Sequence, residues 1–131
     1  MIVDWTDEYQ QWRERLDASV ASGLVGAGIQ DNLADLHLEA LSQLEGEPLI
    51  ETPEMMRVRQ SAKYPLWRLS HPYVPGVAVR TIVWFPQVGE IVIVAIGAEK
   101  SGIGDLFYES ISFRADAAIE RYLYARRIGN A

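Results

Sequence analysis

The sequence contains no cysteine, which removes disulfide scaffolds, thiolate metal sites and cysteine nucleophiles at once. Histidine is nearly as scarce. Only His37 and His71 occur, far apart in the chain, too few for a histidine-built metal cluster. No apolar run approaches the roughly 20 residues that a membrane-spanning helix needs. The opening MIVDWTDEYQ has neither the basic start nor the apolar core of a secretory leader, so a cytoplasmic protein that avoids membranes is the expectation. The phosphate-loop pattern GxxxxGK(S/T) and the dinucleotide pattern GxGxxG are both missing, and no Ser/His/Asp grouping or carboxylate pair suggests triad or glycoside chemistry. Neither a metal nor a small-molecule cofactor is expected.

What is present is an ordinary globular composition. The chain has 131 residues, 49% hydrophobic and 23% charged, which fits a single domain over 1–131 with a substantial core. Its net charge of −6 argues against a polyanion-binding protein only if the charge is evenly spread. It is not. Residues 1–54 carry twelve acids against Arg13 and Arg15, a net of −10, while residues 55–131 carry ten bases and six acids, a net of +4. Such an asymmetry fits either a polyanion-facing surface or acidic, solvated helices in the first half.

Met1 to Asp4 reads as an edge strand. Thr6 is a hydroxyl N-cap with Asp7 and Glu8 in the first turn, and Trp5, Tyr9, Trp12, Leu16 and Val20 mark one face of a helix. Three glycines between Ser22 and Gly28 interrupt it. A second helix is predicted from Ile29 to Leu44, with Ile29, Leu33, Leu36, Ala40 and Leu44 as its buried stripe and Gly46 and Pro48 closing it. Residues 47–63 read as a loop in which Met55 to Arg59 can form a turn of helix. Strands follow at Leu66–Leu69, Val77–Phe85 and Ile91–Ile96, with a breaker-rich turn at 71–76 and a hairpin turn from Pro86 to Glu90. Gly97 to Gly104 reads as a loop, Leu106 to Tyr108 as an apolar segment, and Arg114 to Tyr124 as a closing helix. The order implies an α+β domain: a small twisted antiparallel sheet, two N-terminal helices packed on one face, and a C-terminal helix.

Arg80 is the informative oddity, a charge in mid-strand among Val77, Ala78, Val79, Ile82 and Val83. Such a residue faces solvent, pairs with Glu90 or Glu99, or is fixed on the strand to hold a phosphate with its planar fork. Lys100 follows the central strand in a glycine-containing loop, where a lysine is either solvated or catalytic. Tyr108 is a core tyrosine, or one that stacks on a base or moves a proton. Arg68 alternates with Trp67 and Leu69 and so points to the other side of its strand. With Arg57, Arg59 and Lys63 it extends a basic surface toward Arg80. His71, beside Pro72 in a loop, is a weak candidate base. Arginine, lysine and tyrosine without a metal suit RNA cleavage by attack of a 2′-hydroxyl on the adjacent phosphate.

The segments VDWTDEYQQWRERL, EGEPL, LWRLS, VAVRTIVWF, IVIVAIGAEKSG and LFYESISFRADAAIERYL together resemble the RelE/HigB superfamily of type II toxins, in particular its phage-associated HigB-like branch. They occur in the family's order along nearly the whole chain. The resemblance implies a RelE-like fold and a metal-independent endoribonuclease that cuts mRNA on the translating ribosome and so inhibits translation. It assigns the scissile phosphate to Arg80, a basic catalytic position to Lys100, an aromatic one to Tyr108, and a matching strand arginine to Arg68. It further implies a helix–turn–helix antitoxin as partner, besides the ribosome and mRNA. The superfamily also contains ParE-like inhibitors of DNA gyrase, and a catalytically inactive phage accessory or binding protein is a further alternative.

Overall fold

Thr6 sets the geometry of the first half of the molecule. In a computed structural model describing residues 1–45, 49–100 and 104–129, with side chains except those of 104–106, 128 and 129, its hydroxyl accepts the Tyr9 N–H at 3.1 Å and donates to the Ala95 carbonyl at 2.6 Å. Its backbone N–H also reaches the Val94 carbonyl, at 3.1 Å. One buried side chain therefore caps α1 (Asp7–Ala21) and ties it to the central strand β5 (Ile91–Glu99). Ala95 is the extra residue of a bulge, since Ile82 pairs with Ile96 but Val83 pairs with Val94. Thr6→Val should cost about 2 kcal/mol and Thr6→Ser much less, because only valine leaves the N-cap donor and the bulge carbonyl unpaired. Urea unfolding of both variants checks this; equal losses would mean that methyl packing, not the hydroxyl, carries the effect.

The remaining elements are β1 (Ile2–Trp5), α2 (Ala27–Ser42), β2 (Met55–Arg57), β3 (Leu66–Leu69), β4 (Val79–Gln87) and α3 (Gly104–Gly129). The class is α+β. The five strands run in the order β1-β5-β4-β3-β2, and the sheet is mixed, because β1 lies parallel to β5 while the other pairs are antiparallel. The two-helix crossover from β1 makes that parallel pairing possible.

Helices cover both faces rather than one. Tyr9 of α1 and Leu41 of α2 pack with Trp67, Val83, Val92 and Val94 on one side. On the other, Ile111, Ala115, Ala118 and Ile119 of α3 pack with Leu66, Ile82 and Ile96. The continuous apolar run of β5 follows from burial on both faces. α3 starts well before Arg114 because Tyr108 and Ile111 continue the same buried stripe upstream at helical spacing.

Two expectations need correction. Residues 55–57 form an edge strand, not loop or helix: Met55 pairs with Leu69 and Met56 with Arg68, so alternation on the sheet outweighs the nearby Pro53 and mixed charges. The apolar stripe read on α2 is not its buried face either. Ala27, Ala34, His37 and Leu41 are buried, whereas Ile29 is 48% and Leu36 57% exposed. Two small alanines let the helix approach the sheet closely, and His37 exchanges a hydrogen bond with Thr81 of β4. Of the face read for the first helix, Val20 of α1 is likewise exposed, and Trp5 ends β1 instead and is exposed too. Gly46 and Pro48, read as the end of α2, and loop residues 101–103 lie outside the described residues. No helix among the described residues is long and apolar enough to cross a membrane.

Candidate functional site

Strand alternation places the basic residues. Ile82 faces α3, so Arg80, two residues away on β4, shares that face. Arg68 pairs with Ile82 and Arg80 pairs with Ala98. The Lys100 N–H continues the ladder with a 2.7 Å bond to the Ala78 carbonyl. Arg80 is therefore the diagonal neighbour of both Arg68 and Lys100, in a slanting row across three adjacent strands.

α3 lays Tyr108 over this row. The Arg68 guanidinium carbon lies 5.5 Å from the ring centroid and Lys100 Nζ lies 5.3 Å from it. Two cations on one ring face a quadrupole that offsets part of their mutual repulsion. Further contacts hold the fork of Arg68: one nitrogen donates to Ser70 Oγ at 3.2 Å and another to Met56 Sδ at 3.2 Å. Arg80 donates to the carbonyl of Val79 at 3.0 Å. Two polar atoms in the cluster, Arg80 Nε and the Tyr108 hydroxyl, are buried and lack a hydrogen-bond partner among the described residues.

Carboxylates neutralise several of the other cations. Arg121 pairs with Glu8, Arg126 with Asp4, Lys63 with Glu120, and Arg13 bridges Asp31 and Asp35 between α1 and α2. Two of these pairs, Arg121–Glu8 and Arg126–Asp4, join the basic second half to the acidic first half. Among the described residues, neither Arg68 nor Arg80 forms an ion pair. The Glu99 partner considered for Arg80 instead accepts a 2.9 Å hydrogen bond from Gln30. The pairing alternative thereby falls, and a row of cations on a rigid sheet remains, able to hold an anion.

The other candidates stand elsewhere. Arg57 is opposite Trp67, which faces α1 and α2, so it sits on the far side of the sheet from Arg68. Arg59 is exposed and lies 4.0 Å from Glu51. Lys63 is drawn to Glu120, which also accepts a 2.8 Å bond from the Tyr64 hydroxyl. His71 lies on the α2 side, its Nε2 accepting the Val79 N–H at 3.0 Å and its Nδ1 2.8 Å from the Pro72 carbonyl.

Sequence reasoning missed the relation between the two histidines. Their rings stack at 6.2 Å, with buried His37 Nδ1 2.8 Å from Thr81 Oγ1 and its Nε2 3.3 Å from the Ser70 carbonyl. They line a groove of about 530 Å³ between α2, the chain from Leu49 to Met55, and the end of β3. The signal available was α2's second apolar stripe, which one buried face could not absorb. No cluster of three or more potential metal-ligating side chains exists among the described residues. Comparison with protein-family models, curated proteins and solved structures returned no match to this chain.

Proposed function

We propose that this protein is a toxin of a type II toxin–antitoxin module that cleaves mRNA on the ribosome without a metal. The observation that carries this reading is the row Arg68–Arg80–Lys100, whose two ends meet the Tyr108 ring, with two arginines that have no carboxylate partner among the described residues. In this reading Arg80 holds the scissile phosphate, and Arg68 and Lys100 offset charge as the 2′-oxygen bonds to phosphorus and the P–O5′ bond breaks, leaving a 2′,3′-cyclic phosphate and a 5′-hydroxyl. A helix–turn–helix antitoxin would neutralise the protein by covering the same basic face, and the site of action would be the cytoplasm.

A reconstituted translation system with mapped mRNA 5′ ends tests this. Wild-type protein should give ribosome-dependent cuts within codons, and Arg80→Ala should slow them roughly a hundredfold. Cuts unaffected by the substitution would remove Arg80 from the site. One observation favours a second reading, a catalytically inactive binding protein or a ParE-like gyrase inhibitor: Tyr108, on the sheet-facing side of α3, is only 8% exposed. Intact message in every lane, followed by inhibition of gyrase supercoiling or by no inhibition at all, would select between those two.

A further inference from the structure

The opposite face of the molecule carries a second surface, independent of the basic row. Leu33, Leu36, Ala40 and Leu44 form one wall of the groove, and Ile50 and Met55 stand on the other. The α2 part of this wall rises about 12 Å from Leu33 to Leu41, just over two helical turns, and Leu44 continues it past the C-cap Gln43. One apolar side chain on each wall is left unabsorbed by the fold, Leu36 at 57% and Ile50 at 67% exposed, while Leu44 and Met55 pack partly on the core. Helical spacing on one wall with an apolar bottom is the shape that receives another amphipathic helix.

Charge selects the occupant. Glu45 and Glu54 line the groove, Glu39 lies on the same helix, and α2 contains no lysine or arginine. No lysine or arginine lines it among the described residues. A second copy docking here about a two-fold axis would set these carboxylates against their own copies, which costs affinity. We infer that the groove between α2 and the 49–55 segment binds an amphipathic helix of another protein, about three turns long, whose apolar stripe is flanked by lysine or arginine. Leucines of that helix would seat between Leu36 and Ile50, while its flanking cations meet Glu45 and Glu54.

Fluorescence anisotropy of the full chain with synthetic helical peptides tests this. One peptide has a leucine stripe with lysine flanks, the second the same stripe with glutamate flanks, and the third is the scrambled sequence of the first. The lysine-flanked peptide should bind at least about tenfold more tightly than either control. Leu36→Gln, at an exposed position that the fold does not depend on, should weaken it roughly tenfold. Glu45→Gln/Glu54→Gln should weaken it while leaving the glutamate-flanked peptide unchanged or improved. Equal binding of the scrambled peptide would overturn the groove in favour of bulk charge attraction, and equal binding of the glutamate-flanked one would overturn the charge argument. Self-association in sedimentation that Leu36→Gln abolishes would overturn it too, making the face an interface between copies.

Discussion

Gly97→Ala is expected to lower the unfolding free energy by about 2–3 kcal/mol, roughly 10 °C in Tm. A Cβ on Gly97 would stand 2.3 Å from Trp12 Cε3, and the next two contacts, also on that indole, are 2.5 and 2.8 Å away. The cause is position rather than conformation. Gly97 lies in β5 just beyond the Ala95 bulge, on the face covered by α1, and Trp12 lies flat against its backbone. Neither partner can yield easily, since β5 is hydrogen-bonded to both β1 and β4, and α1 is tied to the bulge through Thr6. A double-mutant cycle with Trp12→Leu isolates the clash. The alanine should cost much less once the indole is gone, giving a coupling of about 1–2 kcal/mol. Additive losses would place the cost in strand conformation instead.

Acidification should expose His37. Burial above all, helped by the neighbouring His71 and Arg80 charges and opposed by the Ser70 carbonyl, lowers its pKa from 6.5 to about 4. The hydrogen-bond partners explain why the neutral form fits: with the proton on Nε2 the ring donates to the Ser70 carbonyl and accepts from the Thr81 hydroxyl. In the unfolded chain the ring charges as pH drops below 6.5, while in the folded protein it stays neutral until about 4. The unfolded state therefore binds more protons in that window, so stability is full above it and declines as pH falls through it. The loss attributable to His37 is up to about 3 kcal/mol. Urea midpoints across the window should slope downward for the wild type and flatten in His37→Gln. An unchanged slope in the variant would assign the acid sensitivity to the carboxylates.

Much of the architecture was legible along the chain because it rests on local chemistry. The Thr6 cap, the glycine break after α1, the breaker-rich turn at 71–76 and the alternation in β4 all act within a few residues, and the elements follow them closely. The same holds for α3, whose buried stripe at Ala118 and Ile119 was visible although its start was set too late. Of the candidate site residues, Arg68, Lys100 and Tyr108 do meet, with Arg80 beside them in register. Arg57, Arg59 and Lys63 do not join them. For Arg57 the reason is one step of alternation on an edge strand not recognised from sequence. For Lys63 it is Glu120, distant in sequence and adjacent in space.

The sequence by itself determined the α+β class, the identity of most elements, and the residue types from which an anion site can be assembled. It could do so because caps, glycines and hydrophobic periods are properties of neighbouring residues. Only the tertiary structure decided which of α2's two apolar faces is buried, that β1 runs parallel to β5, and that His37 and His71 stack although far apart in sequence. It also decided that Arg68, Arg80 and Lys100 form a row under Tyr108, while acids of the first half absorb Arg121 and Arg126. These outcomes depend on strand register, a one-residue bulge at Ala95 and the closeness of alanine-lined helix packing. Each is a relation between distant segments, with energies of a few kcal/mol set by contacts that no single stretch of the chain contains.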